Sequence, residues 1–380
     1  MIGRAGVASI ALSVAGLACG ELAPAAPRDG VPRLEMDRVL HVPTDRPFSS
    51  LQTPVADADR LYADFSAGPV VAFDRRTGSQ VWTYARPFGA PSSLVLHNGR
   101  LLFVGSLAIA LDAATGTELW HHDPGANGGL GVSAAADGHF YFGTDSSIHA
   151  LSVETGSPAW RVDFGADWEF RSVVRGVAVD GDELFASIER FHSETGHLGA
   201  AIVLALDRRT GLELWRHTEG DGSDRHLFIF EPRVAGDLIL VSDFIANVTI
   251  ALDRATGAVR WRRQGDATGY AGAFEPPLVR HDTVFVVSGD QRITALHRAT
   301  GEPIWGQKVG GSLSSAAFCG RYLLVQDLYL HVLDRATGAF IARYAHTKPG
   351  ESGLLVSRFT SDGDVAFVLG NNAAYGFRCR

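Results

Sequence analysis

The 380-residue chain is 46% hydrophobic and 20% charged, with a formal net charge of −8. That balance belongs to a globular protein rather than to a disordered or membrane-embedded one. With no run of Lys or Arg to track phosphates, neither nucleic acid nor an anionic membrane surface is an expected partner.

At the N-terminus, Arg4 precedes the apolar small-residue stretch 5–18, which is too short to span a bilayer. Residues 1–18 are patterned as a secretory signal. Gly16-Leu17-Ala18-Cys19 resembles a bacterial lipobox, with Gly16 where that motif has Leu or Val. The resemblance implies lipidation of Cys19, and Gly20 rather than Asp after it implies an outer-membrane lipoprotein facing the periplasm. The alternative is plain cleavage to a soluble periplasmic or secreted protein. Residues 19–33, rich in Ala and Pro, read as a tether, and residues 34–380 as the folded domain. Within that domain Arg38-Val39-Leu40-His41-Val42 is β-compatible, ends at Pro43, and has no complete set of partner strands beside it.

From here a unit repeats. Seven times an apolar strand runs into a turn ending Thr-Gly, at Gly78, Gly116, Gly156, Gly211, Gly257, Gly301 and Gly338. Five of the seven turns begin with Asp; Ser152 and His297 stand in the other two. Six times a tryptophan follows five residues after the threonine: Trp82, Trp120, Trp160, Trp215, Trp261 and Trp305, with Ala342 in the seventh. The successive spacings are 38, 40, 55, 46, 44 and 37 residues, a tandem array with room for four short strands per unit. The turn itself is local chemistry, an Asp side chain accepting from backbone N–H groups and a glycine at positive φ.

A four-stranded sheet of this size buries neither face alone, and closing such sheets into a ring leaves only short edges. The expected fold is therefore all-β, a propeller of four-stranded antiparallel blades, with each tryptophan a plate packed on the next blade. After Gly338 the runs 354–360, 365–369 and 373–377 supply three strands of a last blade. The strand 38–42 completes it, giving eight blades.

Innermost strands of this repeat begin with small residues, as in Ser92-Ser93, Ser133 and Ser314-Ser315. Three blades depart from that. The fourth has Arg171 and Arg175, the fifth Phe230-Glu231-Pro232 and the sixth Phe274-Glu275-Pro276, while the last adds Arg358. Mutual pairing of these charges around the axis is one reading, and a binding site at the funnel mouth the other. The 55-residue spacing is created by 188–199, read as a lengthened loop between the second and third strands of blade four. Trp168 lies on the connection into that blade. The candidate partner-binding set is Trp168, Phe170, Arg175, Glu189, Arg190, His192, His197, Phe230, Glu231, Phe274 and Glu275, because long loops on rigid scaffolds and clustered aromatic and Arg side chains carry recognition.

Beyond Cys19 two cysteines remain, Cys319 and Cys379, in an oxidising compartment if the signal is used. Both a bridge and two separate thiols stay open. The chain has no His-Glu-x-x-His, Gly-x-Ser-x-Gly, Cys-x-x-Cys or P-loop, so no catalytic residue, metal or cofactor is assigned.

The recurring Ala-Leu-Asp-x-x-Thr-Gly-x-x-x-Trp, at Ala110 to Trp120 and Ala205 to Trp215 for example, resembles the pyrroloquinoline-quinone-type propeller repeat. Together with the signal and lipobox, the chain is most similar to the propeller lipoproteins of the outer-membrane β-barrel assembly machinery. The quinoprotein alcohol dehydrogenases carry a vicinal Cys-Cys pair that this chain lacks. The resemblance implies a monomeric, non-catalytic envelope scaffold that touches the membrane only through its N-terminal lipid and presents one face to envelope proteins. A small-ligand-binding or sensing propeller is the alternative, with a quinone-dependent enzyme behind it.

Overall fold

The computed structural model describes residues 37–43, 53–65, 68–86, 93–125, 131–164, 170–192, 198–220, 230–243, 247–265, 275–288, 291–309, 315–327, 329–344, 359–362, 365–369 and 373–378. They form eight four-stranded sheets, each antiparallel, and seven of them run in simple chain order from the innermost strand to the outermost. The eighth combines strands from both ends of the chain. Its order places Asp37–Pro43 beside Ala373–Arg378, with Asp37 opposite Arg378, His41 opposite Tyr375 and Pro43 opposite Ala373. The N-terminal strand thus completes the last blade, as both incomplete ends require.

Each repeat folds locally for the reason its turn suggests. Asp74 Oδ1 accepts from the N–H groups of Arg76 and Thr77 at 3.0 and 2.7 Å and from the Thr77 hydroxyl at 2.8 Å. Gly78 then turns the chain at φ 73°, a conformation that a Cβ disfavours. Hydrogen bonds from Thr77 hold the Asp74 carboxyl below its usual range, and the corresponding threonines do the same at Asp112, Asp207, Asp253 and Asp334.

The core is divided among the blade boundaries. Alternate residues of a strand face the preceding and the following blade: Leu61, Ala63 and Phe65 pack with Val365, Phe367 and Leu369 of blade eight, whereas Tyr62 and Trp82 pack with Leu101, Phe103 and Ile109 of blade two. Every motif tryptophan also donates its indole N–H to a carbonyl of the next blade. The acceptors are Ala113 at 3.0 Å from Trp82, Val153 at 2.9 Å from Trp120 and Arg254 at 2.7 Å from Trp215, with Arg208, Arg298 and Arg335 serving the other three. An indole buried with its N–H satisfied contributes its apolar area without the cost of a lost hydrogen bond.

Turns between second and third strands share one face of the ring with the blade-to-blade connections. The Thr-Gly turns occupy the other. There Arg208 pairs with Asp137, Arg254 with Asp180 and Glu183, and Arg298 with Asp237, strapping blades three to six at the rim. Exposed partners make such straps worth little individually.

Candidate functional site

Blade four is larger than its neighbours. Its strands are Phe170–Asp180, Glu183–His192, Leu198–Asp207 and Glu213–Glu219, where blade two has Arg100–Val104 and Ala108–Asp112 as its second and third. The inserted segment is therefore not a long loop. Its residues pair in register, Phe170 with His192, Ser172 with Arg190 and Val174 with Ile188, and on the other side Glu189 with Ala201 and Arg190 with Ala200. Only 193–197 joins the strands, and those residues lie outside the described set. At ~3.3 Å per residue, five extra residues carry this sheet roughly 15 Å past the level where other blades turn. It projects on the connection face.

Arg175 sits at an irregularity in that sheet, between Val174 and Gly176. Its carbonyl accepts from Val132 N–H at 3.3 Å and Val132 in turn accepts from Val177 at 2.9 Å, which ties blade four to blade three. Its guanidinium pairs with Glu189, a fully buried carboxylate, and lies 5.9 Å from the centre of the Phe191 ring. A buried carboxylate is tolerated there because a cation meets it. Arg190, one residue on, is partly exposed.

Two of the charges read as lying around the axis have described partners. Arg175 is matched within its own blade. Glu275 spends its carboxylate on the next blade, accepting from the Ser315 hydroxyl at 2.5 Å and from the Ala316 N–H at 2.9 Å. Ser315 Oγ accepts from the Phe359 N–H at 3.2 Å, and Ser93 Oγ from the Ser133 N–H at 2.9 Å. A side chain at the start of one blade thus latches the backbone of the following blade, and Glu275 is a longer version of the serine latch. Glu231 packs against Gly176, where an added Cβ would stand 2.5 Å from its own Cβ. Phe230, Glu231 and Glu275 are all buried, and Glu275 is held between blades by its latch to Ser315 and Ala316.

Of the candidate set, the structure therefore gathers Arg175, Glu189 and Arg190 on the projecting hairpin, with the backbone of Phe170 and His192 at its outer end. Trp168, His197 and Phe274 lie outside the described residues, as do Arg358, Cys19 and Cys379. Among the described residues no group of three His, Cys, Asp or Glu side chains could hold a metal ion, and no helix is long and apolar enough to cross a membrane.

Sequence reasoning missed three buried polar sets on the connection face. Arg86 lies 3.0 Å from Asp64, both side chains nearly fully buried, and donates to the carbonyls of Gly68 and Phe65. Desolvation pushes the Asp64 carboxyl up to about 7 against the pull of Arg86. His331 pairs with Asp327 at 2.8 Å in blade seven. His149, stacked on Phe142 at 4.9 Å, meets the Ser147 hydroxyl at 2.9 Å, and burial lowers its imidazole to about 4. None carries a spacing that a sequence would disclose.

The sequence profile described as "Outer membrane protein assembly factor BamB" matches residues 104–198 and 199–377. The chain belongs to that family. An outer membrane protein assembly factor BamB from Shewanella oneidensis is 26% identical over 348 residues, covering 86% of this chain and 83% of the relative. A tetrathionate hydrolase from Acidithiobacillus ferrooxidans is 22% identical over 265 residues, covering 68% of this chain and 52% of the relative. Among solved structures, BamB from Moraxella catarrhalis superposes with a TM-score of 0.68 at 17% identity, covering 90% of this chain and 99% of that one. At that identity the superposition speaks for the propeller fold, and the profile for the family.

Proposed function

We propose that the protein is a non-catalytic scaffold of outer-membrane protein assembly that docks envelope proteins on the connection face, centred on the projecting hairpin of blade four. The observation that carries this reading is the hairpin itself: strands 170–180, 183–192 and 198–207 outreach every other described blade and raise Arg190 and the ends of two paired strands above the ring. A rigid sheet that displays Arg and aromatic positions suits recognition, because few rotamers are lost on binding. Family membership supports the assembly role. In the same reading residues 1–18 are a signal, Cys19 carries the lipid, residues 19–33 tether the propeller to the outer membrane on its periplasmic side, and the protein works as a monomer.

The test is capture of envelope proteins by the tagged full-length chain, with Trp168 and Phe170 replaced by alanine. Loss of capture with unchanged circular dichroism and melting supports the docking surface. Undiminished capture moves the interface elsewhere, and joint loss of capture and stability makes the patch a packing element. The relationship to a tetrathionate hydrolase keeps a catalytic propeller as the alternative reading.

A further inference from the structure

The ring is closed where chain ends meet, and strand pairing is the usual means. Here a covalent bond stands beside it. Cys319 is disulfide-bonded. It ends the innermost strand of blade seven, Ser315–Cys319, is fully buried, and packs in a cluster with Phe359, Tyr375 and Phe377 of the closing blade. The sequence holds three cysteines, Cys19, Cys319 and Cys379. Cys379 follows directly on Ala373–Arg378, the strand that the N-terminal strand joins, and comes two residues after Phe377 in the Cys319 cluster.

We propose that Cys319 is bridged to Cys379 and that this bridge braces ring closure, so that the thiol–disulfide state of one pair governs how firmly the N-terminal strand is held. Of the two states the sequence leaves open, the bridge is the one the packing favours, because the end of the innermost strand of blade seven and the third strand of blade eight share one side-chain cluster.

The placement matters for the direction of opening. Asp37 is opposite Arg378 and Pro43 opposite Ala373. Peeling of the N-terminal strand by a pull on the chain before it starts at Asp37, and the residue facing Asp37 is the one next to Cys379. A link there holds the template strand in place at the pair that must break first. Formation of the bridge takes two thiols to one disulfide, releasing two protons and two electrons. The electrons go to the disulfide of a thiol oxidoreductase, which is left as the dithiol. A bridge across two blades also removes conformations from the opened state that would otherwise compete with closure.

The test uses the full-length protein purified without reductant. Peptide mapping under non-reducing conditions is expected to return one cross-linked pair containing Cys319 and Cys379, which separates on reduction. A link from Cys319 to Cys19 or to a second molecule overturns the pairing, as does alkylation of both thiols before reduction. Hydrogen exchange at residues 37–43 then reads the brace. In Cys379→Ser exchange there is expected to quicken about tenfold or more over the oxidised protein, with residues 100–104 of blade two unchanged. Reducing the unsubstituted protein with a phosphine gives the same comparison without any change of sequence. Equal exchange in oxidised and reduced protein overturns the proposal.

Discussion

The indole ring of Trp82 lies so close over Gly116 of the following blade that a Cβ on that glycine would stand 2.6 Å from Cδ2 of the ring. The same relationship joins Trp120 to Gly156, Trp160 to Gly211, Trp215 to Gly257, Trp261 to Gly301 and Trp305 to Gly338. The glycine of each repeat answers two demands at once, a positive φ for its own turn and a flat surface for its neighbour's tryptophan. At the seventh position of the series Ala342 packs among Phe359, Tyr375 and Phe377 of the closing blade.

This pairing makes tryptophan and glycine substitutions interdependent. Trp215→Ala should destabilise by about 3 to 5 kcal/mol through loss of a large buried aromatic. Gly257→Ala should also destabilise, because φ is 72° and the new Cβ meets Trp215 at 2.5 Å. In the double variant the clash is gone, so denaturant unfolding should give a cost smaller than the sum by about 1 to 2 kcal/mol. Strict additivity would mean that the two residues do not touch.

Closure by the N-terminal strand predicts a strong effect of removing it. Deleting residues 20–45 strips the partner from Ala373–Arg378, whose Ala374, Tyr375 and Phe377 are buried, and leaves a free edge. The truncated protein should melt well below the full chain. Equal melting would show that the ring holds without its eighth blade complete.

His149 sets a pH dependence. Its imidazole ordinarily titrates at 6.5 and is lowered to about 4 in the fold, first by desolvation and then by Arg161 and His122. The unfolded chain therefore binds a proton that the folded chain refuses, and stability present above 6.5 is lost as pH falls toward 4. His149→Gln should flatten that part of the stability profile, measured by urea unfolding between pH 4 and 7. An unchanged slope would mean that the imidazole is solvated.

The ring was legible in the sequence because a repeat of fixed turn chemistry reports the same local structure seven times, and because Arg38 to Val42 had no other partner. What escaped was tertiary. Gly116 reads as turn chemistry until Trp82 of another blade is seen above it. The segment 188–199 reads as a loop because Glu189, Arg190 and His192 interrupt any apolar alternation, yet Glu189 is buried by Arg175, fourteen residues earlier, which no local pattern encodes. Glu275 looked like a site residue because an acid replaced a serine, and its reach to Ser315 and Ala316 shows the same latch made with a longer arm.

The most direct measurement of the docking account is site-specific photocrosslinking in the native envelope, with the reactive group at Arg190 on the hairpin and, as the control, at Arg76 on the Thr-Gly turn of blade one, on the opposite face. The account predicts discrete adducts with outer-membrane assembly proteins from position 190 and none of these from position 76. Adducts from position 76 with none from position 190 would contradict it.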